Sequence, residues 1–262
     1  WWSKGDISLV PGDTLDVAFC PQLNTYNGTT SIQLILQDVH ADNFVEEEVE
    51  TQSSKDEIKI YDHRKKTDIY ASVNDYVKNS KLKVAIFAED RNVLDALKPF
   101  KALTDAVFNR FSCPKADCLM FFDYPCSPEI LSEILAASNP KFLHFMNYQV
   151  KKTDEKSFLK TFSGMLKFAH NNKDGVFDLE KCAAYLAVSK EVIIILLDIY
   201  HECKFLKILE KGINEYKIEL ASNIDISMVL HTNLYKEFLS LLRDGEEFKK
   251  SLTQDELNNL FN

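Results

Sequence analysis

Residues 10–39 read VPGDTLDVAFCPQLNTYNGTTSIQLILQDV, and the periodicity of this stretch organises the rest of the chain. Leu15, Val17 and Phe19 alternate with Thr14, Asp16 and Ala18; Ile32, Leu34 and Leu36 alternate with Ser31, Gln33, Ile35 and Gln37. Successive side chains of a strand leave opposite faces, so both runs have the period of a half-buried strand. Asn27-Gly28 stands between them, and both residues tolerate the positive φ of a tight turn. The stretch predicts a β-hairpin with Tyr26 at its tip.

Working outward, residues 42–59 are polar and acid-rich, including EEEVE and SSKDE, which suits an exposed connection or a frayed edge strand. From Ile58 the pattern changes to short apolar runs separated by helical segments: IKIY, DIYASVNDYVKN, KVAIFA, RNVLDALKPF, VFNRF, CLMFF, PEILSEILAA and KFLHFM. Strands alternating with helices imply a parallel sheet covered on both faces. Strands are expected at about 58–61, 83–88, 118–122 and 141–146, all in one mainly parallel sheet.

SFLKTFSGMLKFAHNN then reads as a helix closed by Asn171-Asn172 and Asp174-Gly175. LEKCAAYLAV, Ser189-Lys190, EVIIILLDIYHECKFL and KILEKGINEYKIEL give helix, turn, longer helix and a hairpin turning at Lys211-Gly212, the order of a winged helix-turn-helix. HTNLYKEFLSLLRDG reads as a periodic helix stopped by Gly245, and Thr253-x-x-Glu256 fits a capping box. The expected class is α/β and multi-domain. The pattern makes 55–150 a parallel, Rossmann-like α/β domain, 151–222 a winged helix and 223–262 a small helical tail.

The 262 residues carry net charge −9, and residues 1–50 hold one basic residue, Lys4, against nine acids. A surface that grips phosphate needs Lys and Arg to displace counterions, so the hairpin segment is a poor nucleic-acid site by itself. The most apolar run, around residues 192–197, is far short of the roughly 20 residues that span a bilayer, and no membrane partner is expected. The six cysteines lie mostly in apolar runs, and no basic-then-apolar leader is seen, so free thiols in a reducing cytoplasm are expected.

The PGD, the LDVAF, the turn with Asn24 and Asn27-Gly28, and SIQLILQDV together resemble the latter part of the OB barrel of RecJ-type single-strand-specific exonucleases. DCLMFFDYPCSPEILSEILAASNPKFLHFMNY resembles the α/β region of the C-terminal extension in that family. The resemblance covers essentially the whole chain as a C-terminal portion, and it implies a partial OB-like β segment over residues 1–54. It implies a 5′→3′ exonuclease of DNA repair and recombination whose Mg²⁺ or Mn²⁺ lies in a core bearing an Asp-His-His motif. That motif is absent here; Asp62-His63-Arg64 is the nearest match. The barrel strands and the core are expected upstream of Trp1. The resemblance thus implies no catalytic residue and no cofactor in this chain, which would shape the substrate channel and dock partners. Those are the rest of the exonuclease, single-stranded DNA held weakly, and a single-strand-binding protein or a helicase.

Two rival readings belong to other classes: a free-standing Mg²⁺-dependent phosphotransfer enzyme and a pure interaction adaptor. Asp62, Asp90 and Asp123 each follow an apolar run, where the ligands of open α/β sheets bind, and three carboxylates suit Mg²⁺. Equally, Asp commonly caps the helix after a strand, and no Gly-rich phosphate loop accompanies them. Cys113, Cys118, Cys126 and His144 have the softness for zinc but not the paired spacing of structural sites. For DNA contact the candidates are Tyr26 as a base-stacking aromatic, the triplet Arg64, Lys65 and Lys66, and Lys204, Lys207 and Lys211 about the wing. The helix over 192–200 is apolar all round, which predicts burial rather than entry into a groove.

Overall fold

A computed structural model describes residues 15–26, 29–41, 58–67, 69–221 and 226–254. The Asn27-Gly28 turn, the acidic stretch 42–57, Trp1-Trp2 and Glu256 lie outside the described residues. Strands β1 (Leu15–Tyr26) and β2 (Thr29–Ala41) pair antiparallel, with Leu23 opposite Ile32 and Tyr26 opposite Thr29. The expected half-burial is not met among the described residues. Phe19, Leu23 and Ile32 are 52%, 77% and 71% exposed. Alternation gathers apolar side chains on one face, but a face is buried only when another layer covers it.

All four expected parallel strands share one sheet, joined by a fifth at its edge. Its order is β3 (Lys59–His63), β7 (Phe142–Met146), β6 (Cys118–Phe121), β4 (Val84–Phe87) and β5 (Val107–Phe108), each pair parallel. The period of two divides the side chains. Ala85, Phe87, Leu119, Phe121, Leu143 and Phe145 pack on one face. Ile86, Ala88, Cys118, Met120, Phe122 and Met146 pack on the other. Both faces are covered, which is why CLMFF is apolar throughout rather than alternating.

Helices α1 (Tyr70–Asn79), α2 (Arg91–Leu97) and α3 (Lys101–Ala106) contribute Val73, Val93, Leu97 and Leu103 to the second face. Helix α4 (Pro128–Ser138) contributes Leu131 and Ile134 to the first. Its start is written locally. Ser127 Oγ accepts from the Ile130 N–H at 3.3 Å, Pro128 takes the first turn, and Asn139 at φ 49° closes the end. From β4 the chain leads towards β5, whereas from β6 it leads the opposite way to β7. A topological switch point therefore lies between the carboxyl ends of β4 and β6.

Next come α5 (Glu155–Asn172), β8 (Val176–Asp178), α6 (Leu179–Tyr185), α7 (Lys190–Glu202), β9 (Leu206–Lys211), β10 (Glu215–Leu220) and α8 (Ile226–Val229). The strands form an antiparallel sheet in the order β8, β10, β9. Asp174 and Gly175, at φ 49° and 78°, end α5 where the sequence signals it. A Cβ on Gly175 would lie 2.2 Å from the Ile218 carbonyl oxygen, so only glycine fits. Helix α7 buries Val192, Ile193, Ile195, Leu196, Leu197, Ile199 and Tyr200, as its composition requires.

The expected stop at Gly245 is corrected: α9 (Leu234–Gln254) runs through it. Tyr235, Phe238 and Leu242 pack in the helical core, and Leu252 packs on the parallel-sheet core. One mid-helix glycine costs about 1 kcal/mol, less than burying a leucine and part of a phenylalanine returns. Thr253 consequently lies inside α9 and donates from Oγ1 to the Lys250 carbonyl at 2.6 Å, instead of opening a capping box. The described part of the tail holds the short α8 and then α9, which bridges two cores.

Candidate functional site

The three strand-end aspartates do not come together. Asp62 lies in the edge strand β3, two strands from β6, a separation of about 10 Å at ordinary sheet spacing. Arg64 engages it, with Nε donating to Oδ1 at 2.8 Å and Nη2 to Oδ2 at 2.7 Å. Burial would raise the Asp62 pKa, but the bonds and charge of Arg64 outweigh this and hold the carboxyl below the usual range. Asp90 caps α2 by accepting from the Asn92 N–H at 2.7 Å, and Tyr148 Oη donates to its Oδ2 at 2.9 Å. Those bonds overcome its burial and lower its pKa.

Asp123 is the buried member. Its Oδ2 accepts from the backbone N–H of Glu89 at 2.7 Å and from that of Asp90. It thereby ties the carboxyl ends of β4 and β6 together at the switch point. Burial pushes its carboxyl up to about 7, against the pull of Lys249 and the two N–H groups. Asp123 and Asp90 are thus neighbours, and Asp62 is not. A Mg²⁺ site on all three fails on geometry, because metal–oxygen distances are about 2.0–2.1 Å.

Around Asp123 lies a set of buried charges. Arg110 forms a fork with Glu89, its Nε 2.9 Å from Oε1 and its Nη2 on Oε2, and both side chains are buried. Burial disfavours the guanidinium charge, but the carboxylate of Glu89 outweighs it and raises the Arg110 pKa. Arg110 Nη1 then donates to the Val188 carbonyl at 3.0 Å, and Lys249 Nζ donates to the Ala187 carbonyl at 3.0 Å. Ala187, at φ 52°, is in the turn between α6 and α7. Two buried cations thus hold that turn, Arg110 from the parallel-sheet unit and Lys249 from α9.

The cysteine and histidine set is dispersed in the same way. Cys113 Sγ donates to the Ile134 carbonyl at 3.6 Å, Cys126 lies 3.8 Å from Arg110 Nη2, and Cys118 is buried inside β6. His144 bonds His63, Nδ1 to Nε2 at 3.1 Å, beneath Tyr61, whose ring stacks on His144 at 4.6 Å. Among the described residues no three His, Cys, Asp or Glu side chains form a metal-holding group.

The candidate DNA contacts are spread over the molecule. Tyr26 ends β1, and its side chain lies outside the described residues. Arg64 is spent on Asp62 and on the Leu252 carbonyl, 2.8 Å from its Nη1. Lys65 is exposed, and Lys66 is half-buried at the rim of a crevice. Lys204 is exposed at φ 59°, Lys207 lies 3.9 Å from Glu219, and Lys211 lies 3.2 Å from Asp198. Sequence reasoning missed Glu89, Arg110, Tyr148 and Lys249. A signal existed for Lys249: Tyr235, Phe238, Leu242, Gly245, Lys249 and Leu252 follow a three–four spacing, which puts a lysine on the apolar stripe of α9.

No family model matches the chain, and no curated protein or solved structure matches it either. No helix among the described residues is long and apolar enough to cross a membrane.

Proposed function

We propose that the chain is the C-terminal accessory region of a RecJ-type 5′→3′ single-stranded-DNA exonuclease, shaping the substrate channel and docking partners. In this reading β1 and β2 are closing strands of an OB-like barrel, residues 58–150 an α/β layer, and α5 to β10 a winged helix used as scaffold. The observation that carries it is the hairpin. Phe19, Leu23 and Ile32 stand on an apolar face that no described residue covers, and a two-stranded hairpin is at best marginal in water. Such a face suits strands that close against further barrel strands. The half-buried α6–α7 turn, held by Arg110 and Lys249, supports the scaffold role, because a recognition helix needs its N-terminal residues free to reach base edges.

The test compares this chain with the product translated from the same reading frame extended upstream of Trp1, on 5′-labelled single strands with Mn²⁺. The extended product is expected to degrade them, and the chain alone to leave them intact. Degradation by the chain alone that is lost in Asp123→Asn, or an extended frame without nuclease activity, overturns the reading.

A further inference from the structure

Strands β4 and β5 end side by side at one edge of the parallel sheet, and α6 of the helical unit faces their carboxyl ends across a crevice of about 320 Å³. Strand carboxyl ends are where α/β sheets take ligands, and this volume falls at the lower end of the range for small-molecule sites. Helix α6 contributes Lys181, Ala184 and Tyr185, whose three–four spacing sets them on one face. Ala88, Phe108 and Ala184 are buried and give the crevice an apolar floor.

Two large aromatic side chains stand here with much of their surface in water. Phe111, just after β5, and Tyr185 are each 45% exposed. Aromatic rings in a concave site offer flat faces to a planar ligand. Charge decides what such a ligand carries. Of the three charged residues that line the crevice, Glu89 is taken by Arg110, whose Nε lies 2.9 Å from Oε1 and whose Nη2 bonds Oε2. Lys181 is taken by Asp178, 2.6 Å away. Arg91 remains, and among the described residues it pairs with no carboxylate. Its guanidinium lies over the Tyr185 ring, 5.1 Å from the centroid, and Asp95, which feels its charge, is bound by Lys98 at 2.6 Å. A guanidinium over a ring still presents N–H groups at its edge, and these meet a carboxylate in two parallel hydrogen bonds. Asn109 adds an amide. Its Oδ1 accepts from the Phe111 N–H and from Ser112 Oγ, both at 3.1 Å, which leaves Nδ2 as the donor end.

We propose that this crevice binds a small aromatic carboxylic acid, with its ring against Phe111 and Tyr185 and its carboxylate on Arg91. One uncompensated positive charge matches the single charge of a carboxylate, whereas a phosphate monoester carries close to two at neutral pH. The larger cleft, of about 660 Å³ between the α/β and helical units, does not compete for an anion, because Glu129, Glu133, Glu191 and Asp244 line it. The site stands on the crevice alone and does not rest on the exonuclease reading.

The experiment titrates the full chain with 2-naphthoate, 2-naphthol and cyclohexanecarboxylate, following the amide resonances of Asn109 and Ser112. Naphthoate carries both the ring and the charge, naphthol only the ring, and cyclohexanecarboxylate only the charge. Naphthoate is expected to saturate with a dissociation constant of order 100 µM, as a ligand of this size allows. The other two are expected to bind about tenfold more weakly or worse, since a charge-assisted hydrogen bond or a stacked ring is worth about that factor. Arg91→Gln alters an exposed side chain and is checked for folding by circular dichroism. It is expected to bind naphthoate about tenfold more weakly and naphthol unchanged. Phe111→Ser, checked in the same way, is expected to weaken both. Absence of saturation by about 5 mM naphthoate, equal affinity for naphthol or cyclohexanecarboxylate, or equal naphthoate binding by either folded variant overturns the proposal. None of these results bears on whether the extended frame degrades DNA.

Discussion

Arg110, which follows the last strand of the parallel sheet, reaches the carbonyl of Val188 in the helical unit at 3.0 Å while Glu89 holds its other nitrogens. The ion pair and the contact between units are one construction. Removing the cation strands Glu89 in the interior, and breaking one side of a buried pair costs about 3–5 kcal/mol. Arg110→Ala is expected to lower stability by that amount in urea unfolding. Replacing both partners, as Arg110→Met with Glu89→Leu, should cost much less, because no unpaired charge is left. Equal losses in the two variants would show that the pair itself contributes little.

The buried histidine pair sets an acid limit. Burial chiefly, then the charge of Lys66 for His63 and of His63 for His144, hold His63 down to about 4 and His144 to about 3. The unfolded chain therefore takes protons near pH 6.5 that the folded chain refuses until about pH 4. Stability from this source is complete above pH 6.5 and is lost as pH falls towards 4. Urea midpoints should rise with pH across that window. The rise should disappear in a chain carrying His63→Gln and His144→Gln.

Asp123 works in the opposite sense. Its folded pKa is raised to about 7, so the folded chain holds a proton between pH 3.8 and 7 that the unfolded chain has released. That contribution is present below pH 3.8 and is lost as pH rises through 7. Asp123→Asn keeps an acceptor for the Glu89 and Asp90 N–H groups and has nothing to titrate. Compared with the natural chain, the variant should gain about 2–4 kcal/mol on going from pH 4 to pH 8, less whatever Lys249 loses with the facing charge. A constant difference between the two chains across that range would refute the assignment.

The parallel sheet was legible because burial on both faces leaves a direct mark, as in CLMFF and KFLHFM, and turn residues punctuate it. The position of Asp123 beyond its strand was legible for the same reason. Its partners were not, because Glu89, Arg110 and Lys249 are far apart in the chain and meet only through the sheet order and the path of α9. Gly245 misled because a glycine after a periodic run reads as a stop, whereas the stripe resumes at Lys249 and Leu252. The hairpin's pairing was legible, and the cover for its apolar face was not, since alternation tells which side is apolar but not what lies upon it.

Gly245 gives a prediction of the other sign. A Cβ there would sit 3.4 Å from the Cys126 carbonyl oxygen and 3.6 Å from its Cβ, an ordinary contact. Alanine relieves the helix of glycine's conformational freedom, so Gly245→Ala is expected to stabilise by about 0.5–1 kcal/mol. Gly175→Ala meets the Ile218 oxygen at 2.2 Å in a left-handed backbone and should destabilise by more than about 2 kcal/mol. Thermal melts of the two variants should move in opposite directions.

The winged helix proposed for α5 to β10 would belong to a class that commonly holds duplex DNA, and the balance of charge and burial argues against a strong site in this region. The turn leading into α7 is held at Val188 by Arg110 and at Ala187 by Lys249, and the apolar length of the helix is in the core. Of the exposed lysines nearby, Lys207 faces Glu219 and Lys211 faces Asp198, which leaves Lys204 without a carboxylate beside it in the described structure. Each phosphate neutralised steepens the salt dependence by about one unit of slope, and sites with 6–10 such contacts are the ones that bind firmly. One to three lysines, partly screened by their own acids, fall well below that number. The chain is therefore expected to bind duplex or single-stranded DNA with a dissociation constant above about 10 µM at physiological salt. Residual binding should weaken about tenfold or more between 50 and 200 mM salt if three phosphates are touched. Lys204→Ala should weaken it more than Lys207→Ala. Submicromolar binding that ignores salt, or that survives replacement of Lys204, Lys207 and Lys211 together, would place the DNA contact on another surface.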